Sequence, residues 1–253
     1  MSDVNMVLTI LKILPRNLLS RFVGKMMSLE KPQSIVRVLK IWFAGHYQIR
    51  LDEAEKSFED YSSINALFTR KLKPGIRPIG GDVVHPSDSK IAETGAVTHG
   101  QILQAKGWTY SVSEFVGNSQ LAESLVDGQF VTYYLCPTDY HRVHSPCDGN
   151  VKRVRHIPGT LWPVNPASVN GIAGLFVKNE RVVFEIETVF GMMALVMVGA
   201  TNVGKITTSV GPQWITNLSA IKSVREEDVQ PEIAVRAGQE LGVFHMGSTV
   251  ICI

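Results

Sequence analysis

The densest run of reactive side chains is Pro137-Thr138-Asp139-Tyr140-His141-Arg142-Val143-His144-Ser145-Pro146, directly after an apolar segment. Two histidines at this spacing can be metal ligands, hydrogen-bonded structural groups or proton carriers. Imidazole suits the last role because its ordinary pKa lies near neutrality. No third His, Cys or carboxylate stands at a supporting spacing, so metal binding is the least favoured reading. A second cluster, His85-Pro86-Ser87-Asp88-Ser89, has the composition of a turn and contributes an acid. A third feature is Met246-Gly247-Ser248-Thr249, set inside the apolar run from Phe244 to Ile253. Glycine weakens a strand interior and marks a bulge or a close backbone approach. The serine behind it has an unhindered carbonyl that its own hydroxyl can attack, although local sequence alone favours a simple kink. Asp88, His144 and Ser248 together supply an acid to orient a base and a base to activate a hydroxyl. The serine does not sit on a G-x-S-x-G elbow.

The elements that must position these groups fall into two regions. In the first, residues 1–46, Met6 to Leu14 form an apolar segment ending at Pro15. Leu18, Leu19, Phe22, Val23, Met26 and Met27 then recur at helical spacing, with Arg16, Arg21 and Lys25 between them. After Pro32, Ser34 is the expected N-cap of a helix carrying Ile35, Val38, Leu39, Trp42 and Phe43, with Arg37 and Lys40 opposite. Basic amphipathic helices with aromatic residues on the apolar side suit a membrane surface, and a helical hairpin on its own core has the same pattern. Asp60 to Ser63 are expected to cap a helix over 64–70 that Pro74-Gly75 would end.

From Val83 onward short β-rich runs alternate with turn signals. They are expected at 83–84, 96–98, 130–135, 151–154, 182–186, 192–198 and 206–210, with Asn179-Glu180 as a hairpin turn. The spacing leaves little room for parallel crossovers. Met192 to Val198 is apolar on both faces, as a central buried strand would be. The fold class is therefore α+β: N-terminal amphipathic helices followed by a mostly antiparallel β core over residues 47–253.

Composition narrows the function. The 253 residues carry a formal charge of +2, too small to imply nucleic acid. Cys136, Cys147 and Cys252 have no paired metal spacing, and their odd number argues for reduced thiols. No apolar run reaches the roughly 18 residues of a spanning helix, and the N-terminal run lacks a secretory cleavage site. Gly199-Ala200-Thr201-Asn202-Val203-Gly204-Lys205 imitates a phosphate loop, but Ile206 replaces the hydroxyl residue that holds magnesium. It reads as a turn between strands.

Several ordered segments resemble one family, the phosphatidylserine decarboxylase proenzymes. Tyr140-His141-Arg142-Val143-His144-Ser145-Pro146-Cys147-Asp148-Gly149 resembles its Tyr-His-Arg-x-His-x-Pro-x-x-Gly signature. Pro158-Gly159-Thr160-Leu161-Trp162-Pro163-Val164-Asn165, the Asn179-Glu180-Arg181 segment and the Gly199 and Gly204 block are similar to further family segments. Met246-Gly247-Ser248-Thr249 resembles the Leu-Gly-Ser-Thr processing site, with Met246 for Leu; Ser89 follows Asp88 where the family commonly has Gly.

The resemblance implies a proenzyme that cuts itself between Gly247 and Ser248 and turns Ser248 into a pyruvoyl group. Asp88 would orient His144, and His144 would take the Ser248 proton. The pyruvoyl ketone would hold the substrate amine as a Schiff base and accept the electrons released with carbon dioxide, with His141 as proton donor. Implied partners are phosphatidylserine, a membrane surface reached through the N-terminal helices on the cytoplasmic face, and the protein's own cleaved fragment in a β/α heterodimer. Family members usually continue past the last strand; in the chain given, the fragment would run from Ser248 to Ile253 and be held by strand pairing. A triad serine hydrolase, an uncleaved lipid-binding protein and a pyruvoyl enzyme for a soluble amino acid are the alternatives.

Overall fold

The computed structural model describes residues 15–201, 205–211, 213–218, 222–246 and 248–253. Two N-terminal helices, α1 (Arg16–Met27) and α2 (Gln33–His46), occupy the stretches with helical spacing. The apolar segment expected over 6–14 lies outside the described residues. Pro32, not Ser34, caps α2: its carbonyl accepts from the amides of Ile35 and Val36, and Ser34 falls inside the first turn. The proline ring fixes φ at a value a helix entry tolerates.

The inner face of α2 is anchored. Phe43 is fully buried in a cluster with Leu67, Phe68 and Met246. The Lys40 ammonium donates to the carbonyls of Phe58 and Tyr61. The outer faces are unpartnered: Leu18, Phe22, Ile35, Val38 and Trp42 are each more than half exposed. No helix among the described residues is long and apolar enough to cross a membrane. The short helix α3 (Ile64–Phe68) starts on Ser63, whose hydroxyl accepts from the Ala66 amide, and ends before the expected limit. Val83-Val84 is not a strand; the Val84 amide donates to the Pro146 carbonyl within an irregular strap.

A seven-stranded sheet forms the core. In chain order its strands are β1 (Lys90–Ala96), β4 (Gln129–Leu135), β6 (Gly149–Ile157), β7 (Arg181–Thr188), β8 (Gly191–Val198), β10 (Arg225–Val235) and β12 (Ser248–Cys252). Their spatial order is β1-β4-β12-β8-β7-β6-β10, and each neighbouring pair is antiparallel. β8 lies at the middle with residues 194–198 buried, as its two-faced apolar sequence requires. β2 (Gln101–Ala105) and β3 (Trp108–Ser111) form a hairpin. The helices α4 (Val112–Val116) and α5 (Ser119–Ser124) follow it, and Phe115, Val116 and Leu121 add to the core. A second sheet, β5-β11-β9, joins Arg142–His144, Glu240–Phe244 and Ile206–Thr208.

Two expectations change here. The apolar run from Phe244 to Ile253 is two strands, not one. β11 ends at Phe244 in the small sheet, and β12 begins at Ser248 in the large one. Between them Met246 has φ of 99°, a left-handed backbone that a long side chain adopts at a cost of about 1–3 kcal/mol. Asn179-Glu180 is not a hairpin turn. It follows α6 (Pro166–Gly171) and α7 (Leu175–Lys178) and is buried. The Asn179 amide donates to the carbonyls of Trp162 and Gly199, and Glu180 pairs with His156 at 2.8 Å. The turn that joins β7 to β8 is at Thr188–Gly191.

Candidate active site

The sheet geometry brings the polar clusters to one end of β4 and β12. Ser248 pairs with Leu135, the last residue of β4. The chain leaves β4 through Cys136 to Tyr140, and the His141 carbonyl accepts from the Phe244 amide at the end of β11. The connection 136–140 and the segment after Phe244 therefore start from neighbouring points. A cleft of about 1190 Å³ opens at this end. His85, Asp88, Tyr133, Tyr140 and His144 line it, and Lys71, Lys73 and Arg77 supply positive charge.

His144 is held in one tautomer. Its Nδ1 lies 2.8 Å from the Gly238 carbonyl, which only accepts, so Nδ1 carries the proton. Nε2 is then a lone pair, and the Tyr140 hydroxyl lies 3.3 Å from it. Burial lowers the His144 pKa, the Gly238 carbonyl and the charges of Glu240 and Asp88 oppose this, and Arg142 adds to it. Gly238 has φ of 78°, and a Cβ there would meet Ile79 Cδ1 at 2.5 Å. Only glycine aims this carbonyl without strain.

Asp88 sits in the same cleft, but among the described residues its oxygens are engaged by Arg77 and not by His144. Arg77 Nε and Nη2 lie 2.9 and 2.6 Å from Asp88 Oδ1 and Oδ2, and Nη2 also reaches Glu53 at 2.8 Å. The two carboxylates raise the Arg77 pKa. Asp88 acts on His144 through space, as a negative charge that favours imidazolium.

His141 differs in kind. It is fully buried, with Nδ1 2.8 Å from the Asp139 carbonyl and its ring centroid 4.0 Å from that of Phe68. Nε2 is buried and has no partner among the described residues. Burial pushes its pKa down to about 3, with the charge of Arg70 acting in the same direction. It is a neutral imidazole whose one proton faces a carbonyl.

The segment before Gly247 is tied down on both sides. His245 Nε2 contacts Thr207 Oγ1 at 3.0 Å and Nδ1 contacts Asn65 Oδ1 at 3.2 Å. Burial pushes this histidine to about 4. Arg142 braces the site from behind, with Glu240 at 2.7 Å and the Thr69 carbonyl at 2.8 Å.

With this geometry, the comparisons with known proteins are specific. A model described as phosphatidylserine decarboxylase matches residues 64–253. The chain is 43% identical over 245 residues to the phosphatidylserine decarboxylase proenzyme of Anaeromyxobacter sp. strain K, covering 95% of this chain and 86% of that protein. Against the proenzyme of Polaromonas sp. strain JS666 it is 40% identical over 248 residues, 94% and 86% of the two chains. Against that of Aliivibrio salmonicida it is 39% identical over 265 residues, 99% and 89% of the two.

The chain belongs to the phosphatidylserine decarboxylase family.

Seen as a family member, the chain holds site residues that sequence reading passed over. Gly238 acts through a backbone carbonyl and leaves no side-chain signal. Tyr140 was visible inside the signature as the neighbour of His141, yet its contact is with His144, four residues on. Arg77 lies just past the Pro74-Gly75 helix stop, where a single arginine carries no pattern.

Proposed function

We propose that this chain is a self-processing phosphatidylserine decarboxylase. It cuts its backbone between Gly247 and Ser248, converts Ser248 to a pyruvoyl group, and turns phosphatidylserine into phosphatidylethanolamine and carbon dioxide. The observation that carries this reading is the His144 ring, with Nδ1–H fixed on the Gly238 carbonyl and Nε2 left as an acceptor that the Tyr140 hydroxyl contacts, in a cleft at the end of the strand that begins with Ser248. The buried Nε2 of His141, without a partner among the described residues, also fits a polar prosthetic group, for which it offers an acceptor.

Processing needs a base and a reactive carbonyl. His144 Nε2 takes the proton from the Ser248 hydroxyl, whose oxygen adds to the Gly247 carbonyl and displaces the peptide nitrogen. The product is an ester. Loss of the α-proton of residue 248 then breaks the ester's alkyl C–O bond and frees a carboxylate at Gly247. Water replaces the enamine nitrogen, which leaves as ammonia. Asp88, steadied by Arg77, favours the transient imidazolium by charge. The left-handed Met246 stores backbone strain next to the bond to be cut.

The pyruvoyl ketone supplies an electron sink for the substrate amine. The chain's own residues do the rest. Lys71 and Lys73 give the cleft the charge that suits a phosphodiester, and the buried His141 and Phe68 exclude water behind the site. β12 lies between β4 and β8 with backbone pairing on both sides, so the segment from Ser248 onward stays bound after cleavage as the smaller partner of a heterodimer. The exposed apolar faces of α1 and α2 suit a peripheral site on the cytoplasmic face of the membrane, where the substrate lies. Residues 1–46 are read as this membrane-associating region and residues 47–253 as the catalytic domain.

Intact-mass measurement is the direct test. The native protein should appear as two fragments parted between 247 and 248, and Ser248→Ala as one uncut, inactive chain. Normal scission in the variant would end the proposal. Reduction with borohydride in the presence of phosphatidylserine should add a lipid adduct only to the fragment that begins at 248, which separates this reading from a serine hydrolase.

A further inference from the structure

We propose that Tyr140 is the proton donor of the decarboxylation, delivering its phenolic proton to the substrate carbon that has lost carbon dioxide. The inference rests on the decarboxylase reading above. Decarboxylation breaks the bond between the carboxylate and its carbon, and the electron pair stays with that carbon. A proton must then arrive there. The Tyr140 O–H bond breaks, a C–H bond forms, and the phenolate left behind regains a proton from water in the cleft.

The geometry singles out this hydroxyl. Tyr140 lines the cleft, and its oxygen lies 3.3 Å from His144 Nε2, which can only accept from it, so the phenolic hydrogen is positioned at rest. The two rings stack at 5.6 Å with an interplanar angle of 25°. His141 lacks the means: its one proton sits on Nδ1 against the Asp139 carbonyl, and its Nε2 carries none and has no partner among the described residues. Tyr133 also lines the cleft, but its hydroxyl contacts His85 at 3.1 Å, and burial, with a smaller contribution from Cys252, opposes a negative charge on it. Burial raises the Tyr140 pKa to about 12 and keeps the phenol protonated; the charges of Arg142 and Arg70 favour its phenolate, and those of Glu240 and Asp88 oppose it. The two guanidiniums offset the two carboxylates when the proton leaves.

A donor at this place also decides where the proton lands. Without it, protonation shifts from the substrate carbon to the former keto carbon of the prosthetic group. Hydrolysis then leaves the amine on the protein, so residue 248 becomes alanine, and the substrate departs as an aldehyde. The two electrons that reduce the ketone come from the substrate carbon, so the exchange balances without another reagent.

The test compares the native protein with Tyr140→Phe, Tyr133→Phe and His141→Asn, each incubated with vesicles of phosphatidylserine and phosphatidylcholine. Tyr140→Phe should still be cut between 247 and 248, lose roughly 100-fold or more in kcat with little change in KM, and accumulate the alanine-terminated fragment by mass. Tyr133→Phe should not accumulate it. Alanine appearing in His141→Asn and not in Tyr140→Phe, or a native kcat in Tyr140→Phe, overturns the assignment. Should Tyr140→Phe fail to cut itself, 3,5-difluorotyrosine at position 140 keeps the hydroxyl and carries the test. Its more acidic phenol should change the solvent deuterium isotope effect on kcat, and an unchanged effect counts against the proposal. A native protein that is never cut removes the decarboxylase reading itself, a result distinct from any failure of Tyr140.

Discussion

His141 and His144 differ in setting because each commits its Nδ1 proton to a different carbonyl. The Gly238 carbonyl leaves Nε2 of His144 as an acceptor in the cleft, contacted by the Tyr140 hydroxyl, whereas the Asp139 carbonyl leaves His141 Nε2 buried with no partner among the described residues. Gly238→Ala should therefore slow self-cleavage, since the added Cβ strains a left-handed backbone and displaces Ile79. The fraction cut over time, followed by mass, reads this directly. The His144 pKa is lowered by burial, so its neutral base form is already present at pH values below the ordinary histidine range. The rate of self-cleavage should rise with pH and level off below about 6.5. A pH series on a slowly cleaving precursor checks the position of that plateau. His141 and His245 give the fold its own acid sensitivity. Both are neutral when folded, down to about pH 3 and 4 respectively, and both gain a proton in the unfolded chain near pH 6.5. The unfolded state thus binds more protons in that window, and stability falls as pH drops through it, by about 1.4 kcal/mol per pH unit for each histidine. Urea midpoints measured from pH 7 to pH 4.5 should show this loss, and His141→Asn should reduce it.

At the scale of elements, α3 is the hinge between the helical region and the site. Phe68 lies under His141, Asn65 contacts His245, and Ser63 caps the helix. Phe68→Ala should cost about 3–5 kcal/mol of stability and impair self-cleavage as well, since His141 loses the surface it packs on. Urea denaturation and intact mass read the two effects separately. The outer faces of α1 and α2 are predicted to matter only to lipid contact. Replacing Phe22 and Trp42 together by Ser should weaken flotation with anionic vesicles and leave self-cleavage at its native rate. Much of this layer was legible in the sequence. Leu18, Phe22, Val38 and Trp42 announced two amphipathic helices through their spacing, and Ser63 announced a cap. Ser34 misled because Pro32 already fixes the entry of α2. Asn179 misled more deeply. A polar pair before a β-rich run resembles a turn, but here the amide bridges Trp162 and Gly199 across the core, a long-range contact that local composition does not encode.

For the whole molecule, the lesson lies in where the two sheets meet. The signature histidines, the acid and the Gly-Ser step could be named from residue types, yet their relation depends on β11 and β12 belonging to different sheets. That division was not legible, because an unbroken apolar run gives no hint that its halves pair with different partners. The carbonyl of Gly238 and the clamp of Arg77 on Asp88 were hidden for the same reason: both are set by tertiary placement.

The separation of β11 from β12 also changes the kind of folding reaction the protein undergoes. Before the cut, the strand that fills the gap between β4 and β8 in the large sheet is delivered by its own chain, and its arrival is unimolecular. After the cut, the same strand is a separate molecule, held by ladders to β4 and β8 and by the buried side chains of Val250 and Ile251. Uncut Ser248→Ala should refold from urea at a rate independent of concentration. The processed protein, once unfolded, must find its strand by collision, so its recovery should fall steeply on dilution. On the proposed processing, assembly is expected to be a one-time event, with the precursor folding by itself and the processed pair needing both pieces.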